Sequence, residues 1–160
     1  MRLVAEPITE AAFAPFGQLL ALPAEPGRVD YSAFAENLRP DVAAVCFRTS
    51  LTAPSALPLK TKVMERHAFS SQAFLPVDVA RYVVMVAPDA ADGGPDLSGA
   101  RLFLVDGRTG INYRAGVWHH PMTVLDRDAV FATVMFNDGG DRDEDWADLP
   151  VEVELSLVSA

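Results

Sequence analysis

Leu59-Lys60-Thr61-Lys62-Val63-Met64-Glu65-Arg66-His67 reads as a β-strand, and its ending shows what kind of sheet it joins. Side chains alternate across a strand, so Leu59, Thr61, Val63, Glu65 and His67 share one face, and Lys60, Lys62, Met64 and Arg66 share the other. Lysines and an arginine mark the second face as the wet one. The first face is expected to look inward, so that Glu65 and His67 project into the interior near the strand's end, where the mouth of a barrel holds a ligand. A carboxylate is costly to bury unless paired, so Glu65 beside His67 points to a functional site rather than to a core histidine. After a short turn at 68–71, Gln72 can return to the same cavity.

About fifty residues on, Gly110-Ile111-Asn112-Tyr113-Arg114-Ala115-Gly116-Val117-Trp118-His119-His120-Pro121 holds the other two histidines of the chain. Arg114-Ala115-Gly116 breaks the strand, and a glycine there suits a bulge or tight turn. His119 and His120 then point to opposite faces, so at most one of them can join Glu65 and His67. The other, with Trp118, is expected on the outside or at a subunit contact. Tyr113 can donate to a ligand or pack in the barrel wall. Arg114, in the turn, is a candidate for a bound carboxylate.

Outward from these two segments the chain reads as scaffold. Twelve prolines and ten glycines cut it into short pieces rich in β-branched and aromatic residues, the pattern of an all-β sandwich or barrel. Strands are predicted at 42–49, 59–67, 72–75, 81–87, 101–106, 111–113, 117–120, 129–136 and 151–158, and a long polar loop at 89–99. In the last strand Val151, Val153, Leu155 and Leu157 face one way, and Glu152, Glu154 and Ser156 the other. Helix is confined to 9–16, with Thr9 as cap and Gly17 as stop, and to a second short piece at 31–37.

Length and composition bound the rest. At 160 residues, half of them hydrophobic, the chain is expected to be one domain, 1–160, able to bury a core without metal or disulfide staples. The lone Cys46 cannot form an intramolecular disulfide and sits in an apolar run, which suits a reducing cytoplasm. No apolar stretch is long enough for a signal peptide or membrane span. A net charge of −9 argues against nucleic acid. Six acids against Arg142 within 138–148 supply five of those nine charges, so a small anionic ligand elsewhere is not excluded. That acidic run reads as a solvated loop, since it lacks the alternating spacing of a calcium loop.

The two segments resemble those of the ureidoglycolate lyase family, formerly called ureidoglycolate hydrolases, in Glu65-Arg66-His67-Ala68-Phe69-Ser70-Ser71-Gln72-Ala73-Phe74-Leu75-Pro76 and in 110–121 as quoted above. The likeness extends to Phe13-Ala14-Pro15-Phe16-Gly17 and to Pro95-Asp96-Leu97-Ser98, so it spans nearly the whole chain. It implies a cupin, a double-stranded β-helix barrel with one or two short helices, forming a cytoplasmic homodimer. It also implies cleavage of (S)-ureidoglycolate to glyoxylate and urea in allantoin breakdown. On the cupin pattern Glu65, His67 and Gln72 fall on the first three ligand positions and His119 on the fourth, so these four would hold a divalent metal, nickel by the resemblance. No organic cofactor is implied.

Glu65 takes the place of a histidine and Gln72 that of a glutamate in that pattern, while Arg114 stands where many relatives carry histidine. The catalytic candidates are Glu65 or His67 as base and His119 as acid; the substrate-binding candidates are Gln72, Tyr113, Arg114 and His120. Two alternatives stand beside this reading: an amidohydrolase that releases ammonia from the same substrate, and a non-catalytic cupin that binds a small acid.

Overall fold

In a computed structural model the chain is described throughout except at residues 40, 43, 138, 141, 159 and 160, so Asp138 and Asp141 of the acidic run lie outside the described residues. The N-terminal quarter supplies β1 (Arg2–Val4), β2 (Glu6–Pro7), a one-turn helix α1 (Glu10–Phe13), β3 (Gly17–Ala21) and a 3-10 turn (Ser32–Phe34). Then follow β4 (Val45–Thr52), β5 (Leu59–His67), β6 (Gln72–Asp78) and β7 (Arg81–Ala87). A second 3-10 turn (Leu97–Gly99) leads to β8 (Arg101–Asp106), β9 (Thr109–Tyr113), β10 (Trp118–His119), β11 (Thr123–Leu125), β12 (Ala129–Phe136) and β13 (Glu144–Ser156).

The strands form two sheets that face each other as a barrel-like double layer. The larger runs β1-β13-β5-β10-β7-β8-β2, with β11 also on β7, and the smaller runs β3-β9-β6-β12-β4. Between them lies a core of Tyr82, Val84, Val86, Phe103 and Val105 from the larger sheet and Ile111, Tyr113 and Phe131 from the smaller, plugged by Phe13 and Phe16. Aromatic edges meet across the gap. Tyr82 and Phe131 pack edge to face at 5.1 Å, and Phe13 and Phe103 at 5.8 Å. Edge-to-face contact suits the ring quadrupoles and adds about 0.5–1.5 kcal/mol per pair beyond area burial.

Thr9 caps α1 as expected, its hydroxyl accepting from the Ala12 N–H at 3.2 Å. The helix is shorter than 9–16, because Gly17 does not stop it but opens β3. A Cβ at Gly17 would lie 1.9 Å from the Asn112 carbonyl oxygen, so glycine is what lets β3 lie against β9. The 31–37 piece is the short 3-10 turn rather than a helix. Among the described residues no helix is long and apolar enough to cross a membrane.

Two face assignments change. Met64 does project from the outer face of β5, yet it is fully buried, because a second apolar cluster covers that side of the larger sheet. Trp118, Met85, Leu102, Leu149 and Val153 belong to that cluster. Arg66 closes it from above, stacked 4.5 Å over the Trp118 ring and paired with Asp145 at 2.9 Å. The last strand is longer than 151–158. Its pairing with β5 shifts between Asp148 and Val153, so Val151 turns out to solvent while Leu149, Val153 and Leu155 face in. The acidic run is therefore not a loop throughout: residues 144–148 pair in register with 63–67 of β5, and Asp143 is buried.

The outer face of β5 supplies its own control for this second core. Met64→Ala is expected to cost about 2–5 kcal/mol through loss of buried contact and the cavity left behind, whereas Lys62→Ala, exposed on the same face, should stay within about 0.5 kcal/mol. Denaturant melts of the two variants check this; equal small losses would show that the face is wet.

Candidate active site

Period two along β5 puts Glu65 and His67 on the inner face, and the antiparallel pairing of β10 with β5 sets His119 directly opposite Glu65. The turn between β9 and β10 makes this register possible. Gly116 takes a positive φ of 82°, and its N–H donates to the His67 carbonyl at 2.7 Å. Tyr113, at the end of β9, stacks on His119 at 4.1 Å with the rings 15° apart, and Gln72 pairs with Tyr113 across β6 and β9. Five of the candidate residues thus share one interior, with Glu65, His67 and His119 from the larger sheet and Gln72 and Tyr113 from the smaller.

Two residues lie elsewhere. His120 points to the opposite face from His119, its ring Nδ1 donating to the Pro121 carbonyl at 2.9 Å. Arg114 is exposed on the turn, where its backbone N–H donates to the Phe16 carbonyl at 3.0 Å.

The imidazoles are oriented by backbone. His67 Nδ1 lies 3.3 Å from the Asp143 carbonyl oxygen, and His119 Nδ1 lies 2.9 Å from that of Val117. A carbonyl oxygen only accepts, so each Nδ1 carries the proton and each Nε2 is left with a lone pair. Both Nε2 atoms are buried with no hydrogen-bond partner among the described residues, as is Gln72 Oε1. One ligand atom from each of Glu65, His67 and His119 lies within 4.8 Å of the others.

Burial sets the charges. It pushes His119 down to about 3 and also lowers His67, against the opposing pull of the Asp143 and Glu144 carboxylates. Glu65 is pushed up to about 7, first by burial and then by Glu144, with Arg48 opposing. The contact between His119 Nε2 and Glu65 Oε1 at 3.6 Å is therefore not an ion pair, since a neutral imidazole turns a lone pair toward the carboxyl. Two lone pairs and a carboxylate converging in a dry site repel one another unless a proton or a cation lies among them. The donor set, two imidazoles and a carboxylate with an unpartnered amide oxygen nearby, fits a divalent ion.

Several residues were not legible as part of this site. Asp143, read as part of a solvated loop, is buried. Its Oδ1 accepts from the Phe69 N–H at 2.7 Å, and its Oδ2 lies 3.3 Å from Arg39 Nη2, close enough for charge pairing. This buried pair fixes the carbonyl that orients His67. Glu144 and Trp146 lie opposite His67 and Glu65 on β13, at the rim of the inner face. Arg48 projects from the inner face of β4, opposite Thr133. A charged residue breaking the apolar run around Cys46 was the available signal for Arg48. For Asp143 the only signal was long-range.

Comparison with known proteins places this arrangement. The sequence model of ureidoglycolate lyase matches residues 1–156. A curated ureidoglycolate lyase of Burkholderia cepacia is 37% identical over 166 residues, covering 95% of this chain and 88% of its own. One of Azotobacter vinelandii is 34% identical over 145 residues, covering 84% and 85%. Among solved structures, RmlC from Streptococcus suis in complex with dTDP-D-xylose matches with a TM-score of 0.53 at 10% identity, over 86% of this chain and 71% of that one. A dTDP sugar isomerase from Desulfovibrio desulfuricans G20 matches with a TM-score of 0.51 at 18% identity, over 85% and 84%. These two share the cupin-type barrel and, at such identities, show the fold alone. The match along nearly all of the sequence, with the Glu65 and His119 segments inside it, shows that the chain belongs to the ureidoglycolate lyase family.

Proposed function

We propose that the chain cleaves (S)-ureidoglycolate to glyoxylate and urea, a step of allantoin breakdown, with Glu65, His67 and His119 at the reacting centre. The observation that carries this reading is the convergence of Glu65 with two unprotonated Nε2 atoms in a buried site of a chain whose relatives are named for the reaction.

The substrate is a carbinolamide bearing a carboxylate, so its breakdown is a proton relocation. The hydroxyl must lose its proton as the carbonyl of glyoxylate forms, and the C–N electron pair leaves with the urea nitrogen, which must gain a proton. No water is consumed. A carboxyl poised near 7 can take the first proton and return it to the nitrogen, and general catalysis of this kind is worth about 10²–10⁴ in rate. His119, expected from the sequence to be the acid, has its proton on Nδ1 and is neutral, so in this proposal it holds a lone pair toward the centre, as His67 does. Tyr113, stacked on His119, keeps that ring in place.

Glu65, His67 and His119, with Gln72 Oε1 as a fourth donor, would hold a divalent ion, which when bound supplies Lewis-acid polarisation of a substrate oxygen. Nickel is the ion that the family resemblance suggests.

We further propose that the chain works in the cytoplasm as a homodimer. The free Cys46 suits a reducing compartment. The outer face of the smaller sheet supports the dimer: Val45, Phe47 and Leu51 are 56%, 71% and 70% exposed on β4, beside Val134 and Phe136 of β12. Apolar residues so grouped on one sheet face mark an association surface. Phe47→Glu should convert a dimer to monomer in light scattering after gel filtration; a parent that elutes as a monomer would remove the proposal.

Incubation with (S)-ureidoglycolate, before and after chelation, tests the reaction. Urea and glyoxylate should appear in equal amounts, falling on chelation if the ion is required, while ammonia in place of urea would mean amide hydrolysis instead. His67→Ala and His119→Ala should each lower urea release by at least about 100-fold with the fold intact, and near-normal turnover in either would overturn the assignment.

Glu65 gives a pH dependence that needs no substrate. Its value in the folded chain, about 7, lies above the ordinary 4.5, so the stability it confers is whole below 4.5 and is lost as pH rises through 7. The chelated protein should therefore melt a few degrees lower at pH 8 than at pH 5 from this source. Glu65→Gln should flatten that difference; an unchanged profile would place the titration elsewhere.

A further inference from the structure

Ureidoglycolate has two unlike ends, a carboxylate and a neutral ureido group, and the centre formed by Glu65, His67 and His119 does not by itself distinguish them. The walls around it do. In the smaller sheet β4 presents Arg48 from its inner face, in register with Thr133 and two residues from Cys46, which pairs with Met135. Arg48 Nη2 lies 3.7 Å from Met135 Sδ, and Gln72 Nε2 lies 3.7 Å from the same sulfur. A thioether is a weak acceptor, so two strong donors converge there on a group that satisfies neither.

Arg48 forms no ion pair with a carboxylate among the described residues, unlike Arg66, which has two, and Arg81, Arg101 and Arg127, which have one each. Its charge nonetheless reaches the centre, where it lowers both Glu65 and His67. In the larger sheet β13 sets Glu144 opposite His67 and Trp146 opposite Glu65, with the indole N–H held by the Glu144 carboxylate at 2.7 Å. Glu144 acts on Glu65 and His67 with the opposite sign. The surroundings of the centre are thus polar, with a cation from β4 of the smaller sheet and an anion from β13 of the larger, both acting on the reacting groups.

We infer that Arg48, with the Gln72 amide beside it, is the anchor of the substrate carboxylate, and that the ureido group is directed toward Glu144. This rests on the ureidoglycolate reading given above. A guanidinium offers paired N–H donors that match a carboxylate, and with Arg48 on the smaller sheet and Glu144 on the larger, the two ends of the substrate meet unlike charges. Arg114 is exposed on the turn after β9, and no contact among the described residues joins its side chain to the centre.

Arg48→Gln and Arg48→Lys test the assignment by steady-state kinetics with (S)-ureidoglycolate, by inhibition with glyoxylate and with urea, and by calorimetric titration of glyoxylate into the parent and both variants. Arg48 is exposed on an edge strand, so both variants should melt with the parent. Arg48→Gln should raise KM about 10–100-fold with kcat changed only a few-fold, the signature of lost binding that is common to ground and transition states. Glyoxylate should weaken as an inhibitor by the same factor, urea should not, and lysine should fall between.

Unchanged KM and glyoxylate affinity in Arg48→Gln would overturn the assignment, and so would an equal loss of glyoxylate and urea binding, which would mean that Arg48 only shapes the pocket. A parent that binds glyoxylate through Arg48 yet releases no urea would keep the anchor and sink the reaction.

Discussion

A carbonyl oxygen can only accept a hydrogen bond, and two of them, on Asp143 and Val117, determine what the interior of this barrel can do. Because each claims the Nδ1 proton of an imidazole, His67 and His119 turn bare Nε2 atoms toward Glu65. Burial then forbids the usual escape, which would be to protonate the rings. Burial, and after it the neighbouring Glu144, drives the Glu65 carboxyl up to about 7. A site with two neutral lone-pair donors and one carboxyl near neutrality is suited to moving a proton or holding a cation, and to little else.

The scaffold serves that constraint. Register between β5 and β10 sets His119 against Glu65, and the Gly116 turn lets β10 enter at that register. The Arg39–Asp143 pair, buried in the segment before β13, fixes the carbonyl that orients His67. Buried ion pairs are weak sources of net stability, and here the pair has a positional consequence instead. The stability comes from the two apolar clusters on either side of the larger sheet, between which β5 and β10 are held.

Much of the fold was legible because it is written in local patterns. Leu59–His67, Arg81–Ala87, Arg101–Asp106 and Ala129–Phe136 appear with the bounds that alternation and punctuation predicted. The strands that were missed have a partner rather than a pattern: Arg2–Val4 and Glu6–Pro7 exist because β13 and β8 offer them edges, and Gly17–Ala21 because β9 does. The same divide runs through the candidate site. Glu65, His67, Gln72, Tyr113 and His119 could be named from strand parity and family likeness. Asp143 and Arg48 could not, since each earns its place by a contact across 76 or 87 residues of chain. The acidic composition of 143–148 spoke for a solvated loop, and only pairing with β5 made it a strand.

The central claim is the tautomer and charge of the two interior histidines, and nitrogen-15 NMR of the imidazole side chains reads both directly. In the chelated protein, with resonances assigned through His67→Ala and His119→Ala, each ring should show a protonated Nδ1 and a bare Nε2 at pH 7, and His119 should stay neutral down to pH 5. Protonated Nε2 atoms, or titration of His119 near the ordinary histidine value of about 6.5, would contradict the account.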